Sequence, residues 1–121
     1  MTEANTTING RAQAEISRRL VQIMKEYTGR GPTRARTTVS DDLVVCLMRA
    51  GFTTAERTLA SAGHQDTVRN VREGIQDSLK GLMVAAVEAV TGRVVAAFMS
   101  ANHVDPDLVV EIFVLDHPSA T

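Results

Sequence analysis

Apolar positions along this chain switch between two periods, and the switches mark its elements. From about Asn9 to Tyr27, Ala12, Ile16, Leu20, Ile23, Met24 and Tyr27 recur at helical spacing, which predicts a helix. Gly29 then supplies a C-terminal stop, and Gly31-Pro32 bars continuation. Thr33–Val39 is polar and alternating, rich in Thr and Arg, as expected of an edge strand. Leu43–Arg49 opens with the unbroken apolar run "LVVCLM", as expected of a strand covered on both faces. "SDD" between them is turn chemistry, so the two strands should form a hairpin.

The second half repeats this order after a short insertion. "GFTTAERTLASAG" predicts a short helix, with Thr53 and Glu56 at capping-box spacing and Gly63 placed to close it. Asp66 is the expected cap of a longer helix reaching about Val90. Its apolar stripe is Val68, Val71, Ile75, Leu79, Leu82, Met83, Ala86, Val87 and Val90. Gly74 and Gly81 on one side of it suggest close helix contact, because each weakens a helix interior. A second hairpin is expected from Val94–Ser100, the loop "ANHVDPD" and Leu108–Leu115, with Pro106 confined to the loop.

Two tags tie the halves together. "TGR" at Thr28–Arg30 recurs at Thr91–Arg93, and "DLVV" at Asp42–Val45 recurs at Asp107–Val110. Gly29 and Gly92 hold the same place in both copies, which suggests left-handed helix caps. The chain therefore reads as an α+β fold: a pseudo-symmetric αββ-α-αββ order, with a four-stranded, mainly antiparallel sheet and helices on one face. Residues 1–10 read as a mobile polar leader, 11–116 as a single domain and 117–121 as a tail.

The repeat also suggests which sheet face meets the helices. Leu43, Val45 and Leu47, with Leu108, Val110 and Ile112, form an unbroken apolar set and are expected to face them. Val44, Cys46, Met48, Val109, Glu111 and Phe113 would then face outward. A three-residue hairpin loop, Ser40 to Asp42, would bring Arg34 and Arg36 onto that outer face, since buried guanidinium groups would be costly.

Composition narrows the classes of function. The net charge of −1 supports no broad basic field for nucleic acid. The lone Cys46 cannot form an intramolecular disulfide and lies in an apolar run, where inert packing is expected. No apolar run is long enough to span a bilayer, and the N-terminus lacks signal-peptide patterning, so a cytoplasmic location is expected. Asn102, His103, Asp105 and Asp107 lack the EF-hand pattern and suit a wide turn. No nucleophile elbow, glycine-rich phosphate loop or other cofactor pattern is found, so no catalytic residue, metal or cofactor is assigned.

The arginines leave three readings open. On an edge strand, Arg34 and Arg36 can simply discourage edge-to-edge association. They can pair across a subunit interface with Glu111, which would make the chain a homodimer. Or Arg30, Arg34 and Arg36 can form a small-anion site, for which bicarbonate or a phosphorylated metabolite would suit, in a sensor or an enzyme.

Several motifs in order, "GRGPTRAR", "DDLVV", "GFTTAERTLASAG", "VEAVTGRVV", "SANHVDPDL" and "EIFVLD", resemble the MpsC-like family over about Ile16 to Asp116. That family is a domain of unknown function, described as a component of a Na+-translocating, membrane-potential-generating system in bacteria. Gly29, Arg30, Gly31, Pro32, Arg36, Asp42, Gly51, Glu56, Thr91, Gly92, Asp105 and Asp107 match its pattern, while Ala101 replaces an expected acidic residue. The resemblance implies a non-catalytic accessory or regulatory module with a membrane ion or inorganic-carbon transport partner, held at the membrane only through that partner.

Overall fold

The computed structural model describes the backbone of residues 2–117 and the side chains of residues 10–117. Its elements run α1 (Thr2–Thr28), β1 (Arg34–Ser40), β2 (Leu43–Arg49), α2 (Thr54–Ser61), α3 (Gln65–Thr91), β3 (Val95–His103) and β4 (Leu108–Leu115). This is the expected αββ-α-αββ order. The helix start expected near Asn9 lies further upstream, because no Gly or Pro in the preceding residues stops α1 from extending to Thr2. The tail from 118 onward lies outside the described residues.

The strands form one antiparallel sheet in the order β1-β2-β4-β3, with α1 and α3 packed against one face. The two halves meet at β2 and β4, and their equivalence is visible in single hydrogen bonds. Leu115 N donates to Asp42 O at 2.7 Å, and Ala50 N donates to Asp107 O at 3.1 Å. The two "TGR" turns match as well. Thr28 Oγ1 donates to Met24 O at 2.7 Å and Thr91 Oγ1 to Val87 O at 2.8 Å. Each hydroxyl also accepts from the arginine N–H two residues on, at 3.3 and 3.2 Å. Gly29 and Gly92 take the left-handed conformation these turns require, at φ 83° and 71°.

The choice of sheet face differs from expectation. The buried set is Val44, Cys46 and Met48 on β2 with Val109, Glu111 and Phe113 on β4, packed on Ile16, Leu20, Met24, Leu79, Met83 and Val87. Leu43, Val45, Leu47, Leu108, Val110 and Ile112 face away from the helices. The hairpin turn also differs: Ser40 pairs with Leu43, so only Asp41 and Asp42 form it, with Asp41 at φ 58°. Reversing both the face and the turn parity leaves Arg34 and Arg36 outside after all. Phe113, Met48 and Met83 fill the space under the helices, and Phe113 packs on Phe98 with centroids 5.1 Å apart.

On α3 the buried stripe is Val68, Arg72, Gln76, Leu79, Met83 and Val87, while Val71 and Leu82 stay exposed. Nothing lies close to Gly74 or Gly81, so neither marks a close helix contact. His64, not Asp66, occupies the N-cap position, without a side-chain capping bond, and Asp66 instead pairs with Arg69 in the first turn.

Candidate functional site

Polar chemistry gathers in three places: under the first half of α3, at the centre of the inner sheet face, and at one corner of the outer face.

Under α3, Arg72 is 0% exposed. Its Nη2 donates to Gly51 O at 2.5 Å and to Glu56 Oε1 at 3.1 Å. Its Nε lies 2.9 Å from Glu56 Oε2 but off-line for a hydrogen bond, so that contact is an ion pair alone. The guanidinium also stacks over Phe52, 4.9 Å from the ring centre. Glu56 is the capping residue anticipated from the sequence: its Oε1 accepts from Thr53 N at 2.9 Å, and Thr53 Oγ1 accepts from Glu56 N at 3.2 Å. One carboxylate therefore caps α2 and neutralises a core arginine. Phe52 N donates to Asp107 Oδ2 at 2.8 Å, tying the β3–β4 turn to the same cluster. Burial raises the Asp107 pKa, against that hydrogen bond and the charge of Arg72.

Glu111 occupies the middle of the inner face and is also 0% exposed. Gln76 Nε2 donates to its Oε1 at 2.7 Å, and Ser100 Oγ donates to its Oε2. Asn102 Nδ2 donates to Gln76 Oε1 at 2.6 Å, extending the chain to β3. Burial pushes the Glu111 pKa up to about 7, although both hydrogen bonds and the Arg72 charge favour the carboxylate. Beside it on β2, burial raises Cys46 to about 11, which leaves that thiol protonated and inert as expected.

The outer face is different in kind. Across β2, β4 and β3 it carries Leu43, Val45, Leu47, Val110, Ile112 and Met99, and the register places no acidic residue on it. At its β1 corner lies a groove of about 540 Å³ lined by Arg34, Ala35, Arg36, Leu47 and Arg49. Arg34 and Arg49 are direct cross-strand partners.

The chain matches, over residues 9–117, the family described as Na+-translocating membrane potential-generating system (MpsC). It belongs to the MpsC family. Among curated proteins and solved structures, nothing matches it. No helix among the described residues is long and apolar enough to cross a membrane. Nor do the described residues bring together three or more His, Cys, Asp or Glu side chains able to hold a metal.

For an MpsC-family chain, the residues singled out in sequence thus separate. Arg34 and Arg36 share the outer groove. Arg30 stays in the turn after α1, where its carbonyl accepts from Thr28 Oγ1 at 2.8 Å. Glu111 sits on the opposite face from the arginines and cannot pair with them across an outer-face interface. Gly31 and Pro32 carry the chain from α1 to β1, and Pro32 is buried against Gly51. Asp105 and Pro106 form the β3–β4 turn, where His103 Nδ1 lies 2.9 Å from Pro106 O. Arg49, Arg72 and Gln76 escaped the sequence reading. Arg49 could have been found from the hairpin register, but a stripe drawn through apolar residues alone necessarily skips Arg72 and Gln76.

Proposed function

We propose that this MpsC-family chain is a non-catalytic accessory module of a membrane ion-transport system and works as a homodimer joined through the outer sheet face. The single observation that carries the reading is that face: apolar across β2, β4 and β3, with no helix among the described residues packed on it. A layer of helices protects one side of the sheet only, and a broad apolar surface on the other is the usual mark of an interaction site. A second copy suits it because a flat, uncharged strip is complementary to itself, as when two sheets pack face to face. A two-fold axis running along β4 would set the two β1 strands at opposite rims, keeping the arginine corners apart. The family description supports the membrane connection, and the lack of a spanning helix among the described residues is consistent with an accessory role.

Sedimentation of the purified chain should give a dimer, and Val110→Asp should convert it to a folded monomer with the same far-ultraviolet circular dichroism. A monomeric wild type at tens of micromolar would overturn the dimer. Co-expression with the membrane components of its own system should allow co-purification in detergent. Failure to co-purify would overturn the accessory role.

A further inference from the structure

We propose that the groove at the β1 corner of the outer face is a binding site for a phosphate group, gripped by Arg34, Arg36 and Arg49. The proposal concerns residues of one chain and does not depend on dimerisation.

Three cations share this groove without any acid to offset them. None of the ion pairs among the described residues involves Arg34, Arg36 or Arg49. Like charges directly opposite each other on neighbouring strands are destabilising, and Arg34 and Arg49 are such a pair. Elsewhere Arg72 pairs with Glu56, Arg69 with Asp66, and both Arg18 and Arg19 with Glu15, while Arg11, Arg30, Arg57 and Arg93 are in no ion pair among the described residues. What sets the β1 corner apart is the direct cross-strand pairing of two arginines, and an anion from outside would remove their repulsion.

Spacing and stoichiometry select the anion. Arg34 and Arg36 stand on one side of β1, about 7 Å apart along the strand, and Arg49 faces Arg34 at roughly 5 Å between backbones. Side chains of this length converge easily on one group between them. Three planar forks exceed the two oxygens of a carboxylate but match the three terminal oxygens of a phosphate monoester. Such a monoester also carries close to two negative charges at neutral pH, a better balance for three guanidinium groups than a single charge. Leu47 contributes an apolar wall, which lowers the local dielectric and strengthens each contact. Arg30 takes no part, because it remains in the turn after α1.

The phosphate can belong to a small soluble molecule or to a lipid headgroup, and two experiments separate these. Calorimetric titration of the full chain with inorganic pyrophosphate tests the first, and co-sedimentation with phosphatidylcholine vesicles with or without phosphatidic acid tests the second. Binding should fall about tenfold for each arginine replaced, in Arg34→Gln and Arg49→Gln, because each loses a charge-assisted contact. Arg11→Gln, on the exposed side of α1, should leave it unchanged. Pyrophosphate binding that depends on the arginines assigns a soluble ligand. Arginine-dependent binding to phosphatidic acid vesicles alone assigns a headgroup. Amide shifts of the unaltered protein provide a readout independent of any variant, and they should concentrate on β1 and the end of β2. Absence of binding to both probes, binding indifferent to Arg34→Gln and Arg49→Gln, or shifts located elsewhere would overturn the site.

Discussion

The two faces of the sheet differ in a direction opposite to the hydrophobicity of their central strands. The inner face, packed under α1 and α3, contains Glu111 and receives Gln76, Arg72 and Ser100. The outer face, with no helix over it, presents Leu, Val, Ile and Met with arginines at one corner. Apolar content alone therefore did not choose the core. What separates the faces is specific packing and hydrogen-bond satisfaction: the inner side packs Phe113 on Phe98 and provides a partner for each Glu111 oxygen. An outer residue needs neither, so a strip of medium-sized aliphatics is left available for contact.

Adjacent residues of β4 test this contrast most sharply. Phe113→Ala should cost about 3–5 kcal/mol in denaturant unfolding, because it empties a site that the helices close. Ile112→Ala, one residue away on the other face and measured like Phe113→Ala in the monomeric Val110→Asp background, should cost no more than about 1–2 kcal/mol, since its side chain buries less area. Equal losses would mean that both faces are core.

The next effect is a dependence on pH. Burial pushes the Glu111 carboxyl from its ordinary 4.5 up to about 7 in the fold. Between these values the folded state holds a proton that the unfolded chain has released, so this group lowers stability as pH rises through the window. Above about 7 the loss is complete. Glu111→Gln keeps the shape without the charge and should raise stability at pH 8 by about 3 kcal/mol relative to its effect at pH 4. Parallel stability–pH curves for wild type and variant would show that Glu111 titrates normally.

A smaller effect is expected at the residue that satisfies this acid. Gln76→Leu removes the donor to Oε1 and should lose about 1–3 kcal/mol near neutral pH. In the Glu111→Gln background that loss should shrink, which a double-mutant cycle would measure. The smallest effect belongs to the outer corner: Arg34→Ala should change stability by no more than about 0.5 kcal/mol, with any gain coming from relief of repulsion by Arg49. A substantial loss would reveal a structural role for that arginine.

Much of the fold was legible because its signals are local. The bounds of β2 and β4, the Thr53–Glu56 capping box and the Gly29 and Gly92 caps each depend on a few neighbouring residues whose backbone preferences agree. The paired "TGR" and "DLVV" tags disclosed the pseudo-symmetry, and the matched hydrogen bonds at Asp42 and Asp107 are its physical content. The site was less legible. Arg34 and Arg36 were visible on the edge strand, but Arg49 joins them only through the hairpin register. Glu111 looked like an outward acid available to pair with those arginines, yet it accepts from Gln76, 35 positions earlier in the chain.

Element order, turns and caps thus follow from the chain read along its length, because each is settled by steric and hydrogen-bonding preferences within a few residues. The buried face, the two-residue turn parity and the company kept by Arg72 and Glu111 depend on residues far apart in sequence. A strand's two faces alternate with the same period whichever is buried. Only the packing assembled beneath the helices, and the donors that α3 and β3 bring to Glu111, can tell them apart.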